Sequence, residues 1–323
     1  MQQLLKTNKA TYLFDNEKPE LVLKAAGKFS TVYLAYQLPE KEPVILKILN
    51  HDVAQQANGL KNFIKEASFA IHHNNIQKTL DYFSDGENHF LIKEYIPGAT
   101  LATLIKSKKK YDWKFYTRCI IHLLPVIKTL HDKGIYHCDL RPQNILVAYD
   151  PHNKIDISYP EVYLLDLGLA KTDAENASII SSPFALIYSP PEQLLNHYEL
   201  VNTSSDLYSL GITLYECITG VTPFTDENPE LMMHLQLNAP LDENKKIPPP
   251  LFEVLKKATS KHKFSLPPNK LEPAELREKL LLGQMERYHD ANEFRYYLTK
   301  VLDHAVMAEE LEKTKPWWSK LFK

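Results

Sequence analysis

Lys47 closes an apolar run, Val44-Ile45-Leu46-Lys47, that reads as a β-strand. A lysine at a strand end is ordinarily a solvated edge residue. Glu66 changes that reading. It lies beside the apolar stripe of the next segment, where Leu60, Phe63, Ile64, Ala67, Ala70 and Ile71 recur at helical spacing, so it can face inward toward the sheet. A Lys47–Glu66 pair there would hold an ammonium group where it can meet phosphate oxygens. Further on, His137-Cys138-Asp139-Leu140-Arg141-Pro142-Gln143-Asn144 sets a carboxylate five residues before an amide. Asp166-Leu167-Gly168 follows 22 residues after Asn144. Alone, that tripeptide would be a turn.

The elements that must position these groups fall into two kinds. Strands are expected at Leu21–Leu23, Val32–Tyr36, Val44–Leu49, Lys78–Phe83 and Phe90–Tyr95, with breaks at Gly27, Pro39 and Asp85-Gly86. After Pro97-Gly98 helices dominate. Phe115–His131 carries Ile120, Leu123, Leu124, Ile127 and Leu130 on one stripe, Pro125 inside it predicts a kink, and Gly134 stands past its end. Asp206–Thr219 repeats the pattern with Leu207, Leu210, Leu214 and Ile218. A strand-rich start followed by a helical remainder predicts two lobes with segregated secondary structure. There is no internal repeat and no low-complexity tract.

Composition narrows the class. The 323 residues are 44% apolar and 24% charged, with a formal charge of -2, as in an ordinary globular protein; nothing points to nucleic acid as a partner. Cys119, Cys138 and Cys217 form no C-x-x-C pair, which argues against zinc and a disulfide framework and fits a reducing, cytoplasmic setting. Met1–Phe14 lacks an apolar core of signal-peptide length, and no run reaches the ~20 apolar residues of a membrane span.

In series, the motifs resemble those of the protein kinase family, in its eukaryotic-like (Hanks-type) Ser/Thr form. His137–Asn144 resembles the catalytic loop H-R-D-x-x-x-x-N and Asp166-Leu167-Gly168 resembles D-F-G. Tyr188-Ser189-Pro190-Pro191-Glu192 resembles the segment that closes the activation segment, and Asp206–Gly211 the start of the long buried helix of the second lobe. The resemblance covers about residues 20–303 and implies an α+β bilobal protein-kinase fold. It divides the chain into an N-terminal extension (1–19), an N-lobe (20–95), a C-lobe (96–303) and a basic aromatic tail (304–323). It implies ATP with Mg²⁺, or Mn²⁺ in its place, and a protein substrate. By resemblance, Lys47 positions phosphates and pairs with Glu66, Asp139 orients and deprotonates the acceptor hydroxyl, Arg141 stabilises charge, and Asn144 and Asp166 hold the metal. The resemblance also implies that Ala25, Gly27, Val32, Ile45, Lys93, Glu94, Ile96 and Leu146 complete the nucleotide pocket.

The chain also departs from the family. The glycine-rich loop keeps only its second glycine, Gly27, with Ala25 and Ser30 at the other two positions and Phe29 at the expected loop tip. Cys138 replaces the arginine that reads an activation-segment phosphate. Arg141 replaces a lysine and keeps its charge in a different shape. Ala185 stands where Ser/Thr kinases carry a threonine. Lys93 occupies the gatekeeper position, so it must either pair with a carboxylate or send its head outward. Ile45 replaces a small alanine and implies a narrower or shifted adenine pocket. Two inserts, 148–162 and 259–283, read as solvated excursions or docking surfaces.

Three functions compete: an active protein kinase, a pseudokinase scaffold, and a small-molecule kinase of related fold. Retention of Lys47, Glu66, Asp139, Asn144 and Asp166 favours the first; the closing Pro-Pro-Glu element and the Asp206 helix disfavour the third. Two further expectations follow. The same resemblance implies that Glu192 pairs with Arg287, in the segment Met285–Ala291. The tail interleaves Trp317, Trp318, Leu321 and Phe322 with Lys313, Lys315, Lys320 and Lys323, which suits a partner, an anionic membrane surface or packing on the domain itself.

Overall fold

The computed structural model describes residues 2–15, 22–24, 29–55, 57–69, 71, 73–172 and 186–314. The chain opens with strands β1 (Gln2–Lys6), β2 (Thr11–Asp15), β3 (Val22–Lys24), β4 (Ser30–Leu38) and β5 (Glu42–Leu49). A short helix α1 (His51–Ala54) and helix α2 (Ala57–Ser68) precede β6 (Thr79–Ser84) and β7 (His89–Glu94). Among the described residues these strands form one seven-stranded sheet in the order β1-β2-β4-β5-β7-β6, with β3 also on β4. Every pairing in it is antiparallel. The sheet curls strongly: the β1–β2 turn meets the opposite edge, where Thr7 Oγ1 donates to Asp81 Oδ2 at 2.7 Å and Lys9 Nζ to the Leu80 carbonyl at 3.0 Å.

Residues 2–15, read from sequence as part of an extension, are thus a hairpin that continues the sheet. Leu5, Tyr12 and Phe14 enter a core with Ala35, Val44, Leu46 and Ile92. The alternation behind this is plain in Thr11–Asp15, where Tyr12 and Phe14 are buried.

The second lobe begins with β8 (Gly98–Thr100), α3 (Leu101–Lys106) and α4 (Trp113–His131), followed by β9 (Ile135–Tyr136), β10 (Ile145–Ala148), β11 (Val162–Leu164) and β12 (Lys171–Thr172). Then come α5 (Pro191–Leu194), α6 (Thr203–Thr219), α7 (Pro229–Asn238), α8 (Pro249–Ala258), α9 (Pro273–Met285) and α10 (Ala291–Thr314). Helix α4 runs on through Pro125, and the Thr129 hydroxyl donates to the Pro125 carbonyl at 3.0 Å. Helix α6 starts three residues before the apolar period does. Asn202 caps it in a reciprocal box with Ser205, which fixes its first turn. Leu123, Leu124, Ile127, Leu207, Leu210 and Leu214 form the centre of the C-lobe core, and Phe294 and Leu298 of α10 close it.

The insert 259–283 is packed, not a solvated excursion. Phe264 and Leu280 are buried against Leu194, Leu200 and Leu237. Its apolar residues are spread through a charged segment, which hides them from a periodicity reading. The insert between β10 and β11 does stay at the surface, turned by Asp150 and Asp156, whose side chains accept from the backbone amides of His152, Lys154, Ser158 and Tyr159.

Candidate active site

The two strands β5 and β7 pair with Ile45 opposite Lys93 and Lys47 opposite Leu91, so Ile45, Lys47 and Lys93 share one face of the sheet. Helix α2 lies across that face. Its apolar side, with Phe63, packs on Leu49, Val53 and Leu91. This docking turns Glu66 inward, where Lys47 Nζ donates to its Oε2 at 2.7 Å. Lys47 also donates to Asp166 Oδ2 at 3.0 Å, and Lys93 Nζ donates to Glu66 Oε1. Burial alone would lower the Lys47 pKa, but the carboxylates of Asp166 and Glu66 outweigh it and hold the ammonium above the usual lysine range. Of the two outcomes open to Lys93, the structure shows pairing.

The loop 137–144 is held from below by Asp206, in the first turn of α6. Its carboxylate accepts from the backbone amides of His137 at 2.9 Å and Cys138 at 3.0 Å, and bonds His131 Nε2 at 2.9 Å. Burial pushes the Asp206 pKa up, yet the His131 bond and the neighbouring histidines win and leave it below the usual range. Gln193 adds a side-chain bond to the Cys138 carbonyl at 3.0 Å. These anchors hold Cys138 at φ 61°, a left-handed conformation rare outside glycine.

Above this base, Asn144 Nδ2 donates to Asp139 Oδ2 at 2.7 Å and to the Asp139 carbonyl at 2.8 Å. Burial raises the Asp139 pKa, against the pull of Arg141. The β10–β11 hairpin, with Ile145 opposite Leu164, brings Asn144 and Asp166 to the same end of one ladder. The Leu165 amide bonds the Asn144 carbonyl at 2.9 Å. Asp166 sits at φ 55° and accepts the Gly168 amide at 3.1 Å. A Cβ on Gly168 would stand 3.1 Å from Asp166 Oδ1 and 3.2 Å from Glu66 Oε2, so the bare glycine lets the segment reach the ion-pair cluster.

The remaining candidates divide. Arg141 donates from Nε to Gln143 Oε1 at 2.8 Å, and its guanidinium lies 5.7 Å from the Tyr188 ring centre. Val32 and Ile45 lie on the sheet as neighbours of Lys47 in the β4–β5–β7 register. Glu94 and Ile96 lie at the link between lobes, where Glu94 is tied to Lys78 through its amide at 2.9 Å. Leu146 pairs with Thr100 across β8 and β10; the missing Cβ of Gly98 makes room for Leu146 and the Val147 carbonyl. Ala25 and Gly27 lie outside the described residues. Phe29, expected at the loop tip, packs instead beside Leu49, Val53 and Phe63, held by the Asn50 amide on its carbonyl at 3.0 Å.

Two features have no motif to announce them. Glu216 of α6 accepts the Tyr188 hydroxyl at 2.6 Å beneath Arg141. Lys171, buried, donates to the Tyr198 carbonyl next to Cys138, which itself packs among Tyr136, Tyr198 and Val201. By contrast, the Glu192–Arg287 pair is where the family resemblance places it: Nη1 to Oε1 at 2.7 Å and Nη2 to Oε2 at 3.2 Å, with both side chains at 1% exposure or less.

A family model described as the protein kinase domain matches residues 25–281. With the bilobal fold, this defines the class: the chain belongs to the protein kinase family. Its curated relatives are serine/threonine kinases by name. A probable serine/threonine-protein kinase of Clostridium perfringens is 31% identical over 272 residues, covering 81% of this chain and 36% of that protein. Serine/threonine-protein kinase PrkC of Bacillus subtilis is 28% identical over 249 residues, 74% of this chain and 36% of its own. PknL of Mycobacterium tuberculosis is 30% identical over 247 residues, 74% and 59%. The chain therefore spans less than two thirds of the length of each of these relatives.

Proposed function

We propose that this chain is a serine/threonine protein kinase that transfers the γ-phosphoryl group of ATP to a protein hydroxyl. The observation that carries this reading is the continuous polar line from Glu66 through Lys47 to Asp166, with contacts of 2.7 and 3.0 Å, beside the Asn144–Asp139 bond of 2.7 Å. Lys47 is fixed where an ammonium can meet phosphate oxygens. Asp139 is half-buried and held by Asn144, so one carboxylate is oriented to accept the hydroxyl proton. The acceptor oxygen forms its bond to the γ-phosphorus as the bond to the β–γ bridging oxygen breaks, and ADP leaves with that electron pair. Arg141 keeps a permanent positive charge beside Asp139 and Tyr188.

Asn144 and Asp166 supply an amide and a carboxylate at one hairpin end, the oxygen donors that suit Mg²⁺, which keeps its remaining positions for water and phosphate. When bound there, the ion would neutralise charge on the β- and γ-phosphates. Lys47 now bonds Asp166, and an incoming metal and phosphate would take up those two partners separately.

The division into N-lobe (20–95), C-lobe (96–303) and tail (304–323) remains part of this proposal, with the 2–15 hairpin joined to the N-lobe sheet. Three free, buried cysteines suit a cytoplasmic setting, and no helix of the described residues is long and apolar enough to cross a membrane. For the tail, whose residues 315–323 lie outside the described set, the proposed partner is an anionic membrane surface, on the strength of its lysines and aromatics. The test of the reaction is incubation with ATP and Mg²⁺ followed by mass spectrometry. Phosphate on serine or threonine, lost in Asp166→Ala, is expected; incorporation that survives Asp166→Ala overturns the mechanism.

A further inference from the structure

Glu66 is held by one more cation than a single Lys47–Glu66 pair needs. Lys47 and Lys93 are diagonal neighbours on one sheet face, and each takes a different oxygen of the same carboxylate. The Glu66 and Lys93 side chains are 2% and 6% exposed, so this second contact is made out of water. With Asp166 included, two carboxylates face two ammonium groups, and the cluster is neutral.

The cations are not equivalent. Lys47 is shared between Glu66 and Asp166 and is the group that must meet phosphate oxygens. Lys93 has Glu66 as its ion-pair partner. A cavity of about 430 Å³ lies behind it, bordered by Glu66, Phe69, Ile76, Lys93 and Leu167. Glu66 therefore has room to turn away, and packing alone does not fix its carboxylate. An apolar residue at position 93 would leave a buried carboxylate without a counter-charge whenever Lys47 turned to phosphate, a costly state.

We propose that Lys93 is a positioning residue that keeps α2 docked through Glu66 independently of Lys47. The N-lobe half of the site is then assembled by the chain itself, with no nucleotide and no modification needed to bring Glu66 in. Its activity arm rests on the kinase reading above; its structural arm does not.

The experiment is hydrogen–deuterium exchange of residues 57–68 without nucleotide, in wild type, Lys47→Met, Lys47→Met/Lys93→Met and Lys47→Met/Lys93→Arg, with α4 as the internal control for folding. Lys47→Met should leave exchange of α2 within about twofold of wild type, whereas the double methionine variant should exchange at least ~10-fold faster. The arginine variant should restore protection. Release of α2 in Lys47→Met alone, or full protection in a folded double methionine variant, overturns the proposal. Should the double variant not fold, the Lys47→Met result decides. In turnover, Lys93→Met should lower kcat roughly 10-fold, about 1.4 kcal/mol, with a much smaller change in KM for ATP. Lys93→Arg should recover kcat. A wild-type kcat in Lys93→Met, or a lower melting temperature with unchanged kcat, contradicts the positioning role. A chain without turnover would count against the kinase reading and leave the exchange result to decide this one.

Discussion

Arg287→Ala should unfold the C-lobe far more readily than a surface change would. Arg287 makes a two-point contact with Glu192 at 2.7 and 3.2 Å and donates from Nε to the Ser260 carbonyl at 2.8 Å. Its guanidinium also covers Tyr208, 4.8 Å from the ring centre. Truncation strands the Glu192 carboxylate, which is 0% exposed and keeps only neutral partners such as the Ser205 hydroxyl at 2.7 Å. Removing one partner of such a buried pair costs about 3–5 kcal/mol. For a domain of this size each kcal/mol moves the melting temperature by ~2–4 °C, so a fall on the order of 10 °C is expected. The acid limb gives a second reading. Burial pushes the Glu192 pKa up, but the Arg287 charge and its hydrogen bonds overcome this and hold it below its ordinary 4.5. A depressed folded pKa contributes stability that is present above 4.5 and is lost as pH falls through the folded value. The assay is thermal unfolding of wild type, Arg287→Ala, Glu192→Gln and Glu192→Gln/Arg287→Met between pH 3 and 7. Both single variants should lose more than the double variant, which strands no charge. A fall below ~2 °C for Arg287→Ala, or additive losses, would refute the reasoning.

Gly283→Ala should destabilise although alanine is the better helix former by ~1 kcal/mol, because its Cβ would stand 2.9 Å from the His262 amide nitrogen and 3.1 Å from the Lys261 Cα, and backbone cannot yield. A higher melting temperature would show that the 259–283 insert does not pack as described. Phosphorylation at Thr172, Ser178, Ser181 or Ser182 should change kcat by less than ~2-fold, since Cys138 offers no cation and Lys171 is committed to the Tyr198 carbonyl. Rates before and after phosphatase treatment, with site occupancy by mass spectrometry, check this; a large gain would require another receptor. Vesicles rich in phosphatidylserine should blue-shift tryptophan emission from Trp317 and Trp318 and lose that effect in high salt. No shift with such vesicles would remove the membrane surface as the tail's partner.

What the sequence made legible was whatever is periodic or local. The α4 stripe Ile120, Leu123, Leu124, Ile127 and Leu130 is wholly buried, because a helix that must face a core repeats its apolar residues. Asp139 and Asn144 touch because they are five residues apart in one loop. The first turn of α6 lies outside the apolar period because its cap, Asn202, carries no apolar signal. The 2–15 hairpin has no local signature because its partner is β4, across a break in the pattern. Lys93 shows the limit most clearly. Its environment depends on strand register and helix docking together, and neither is written at position 93 itself. Phe29 likewise follows the apolar cluster under α2 and not the loop motif that precedes it.

The proposed phosphoryl transfer rests on this chain's own polar line. The direct measurement is transfer of radiolabel from γ-labelled ATP to protein, with Mg²⁺, by wild type and by folded Lys47→Ala and Asp166→Ala. Wild type should give acid-stable label on serine or threonine, and either variant none above background, at unchanged ATP-independent folding. Equal labelling by Asp166→Ala, or no labelling by wild type across a panel of protein substrates, would contradict it.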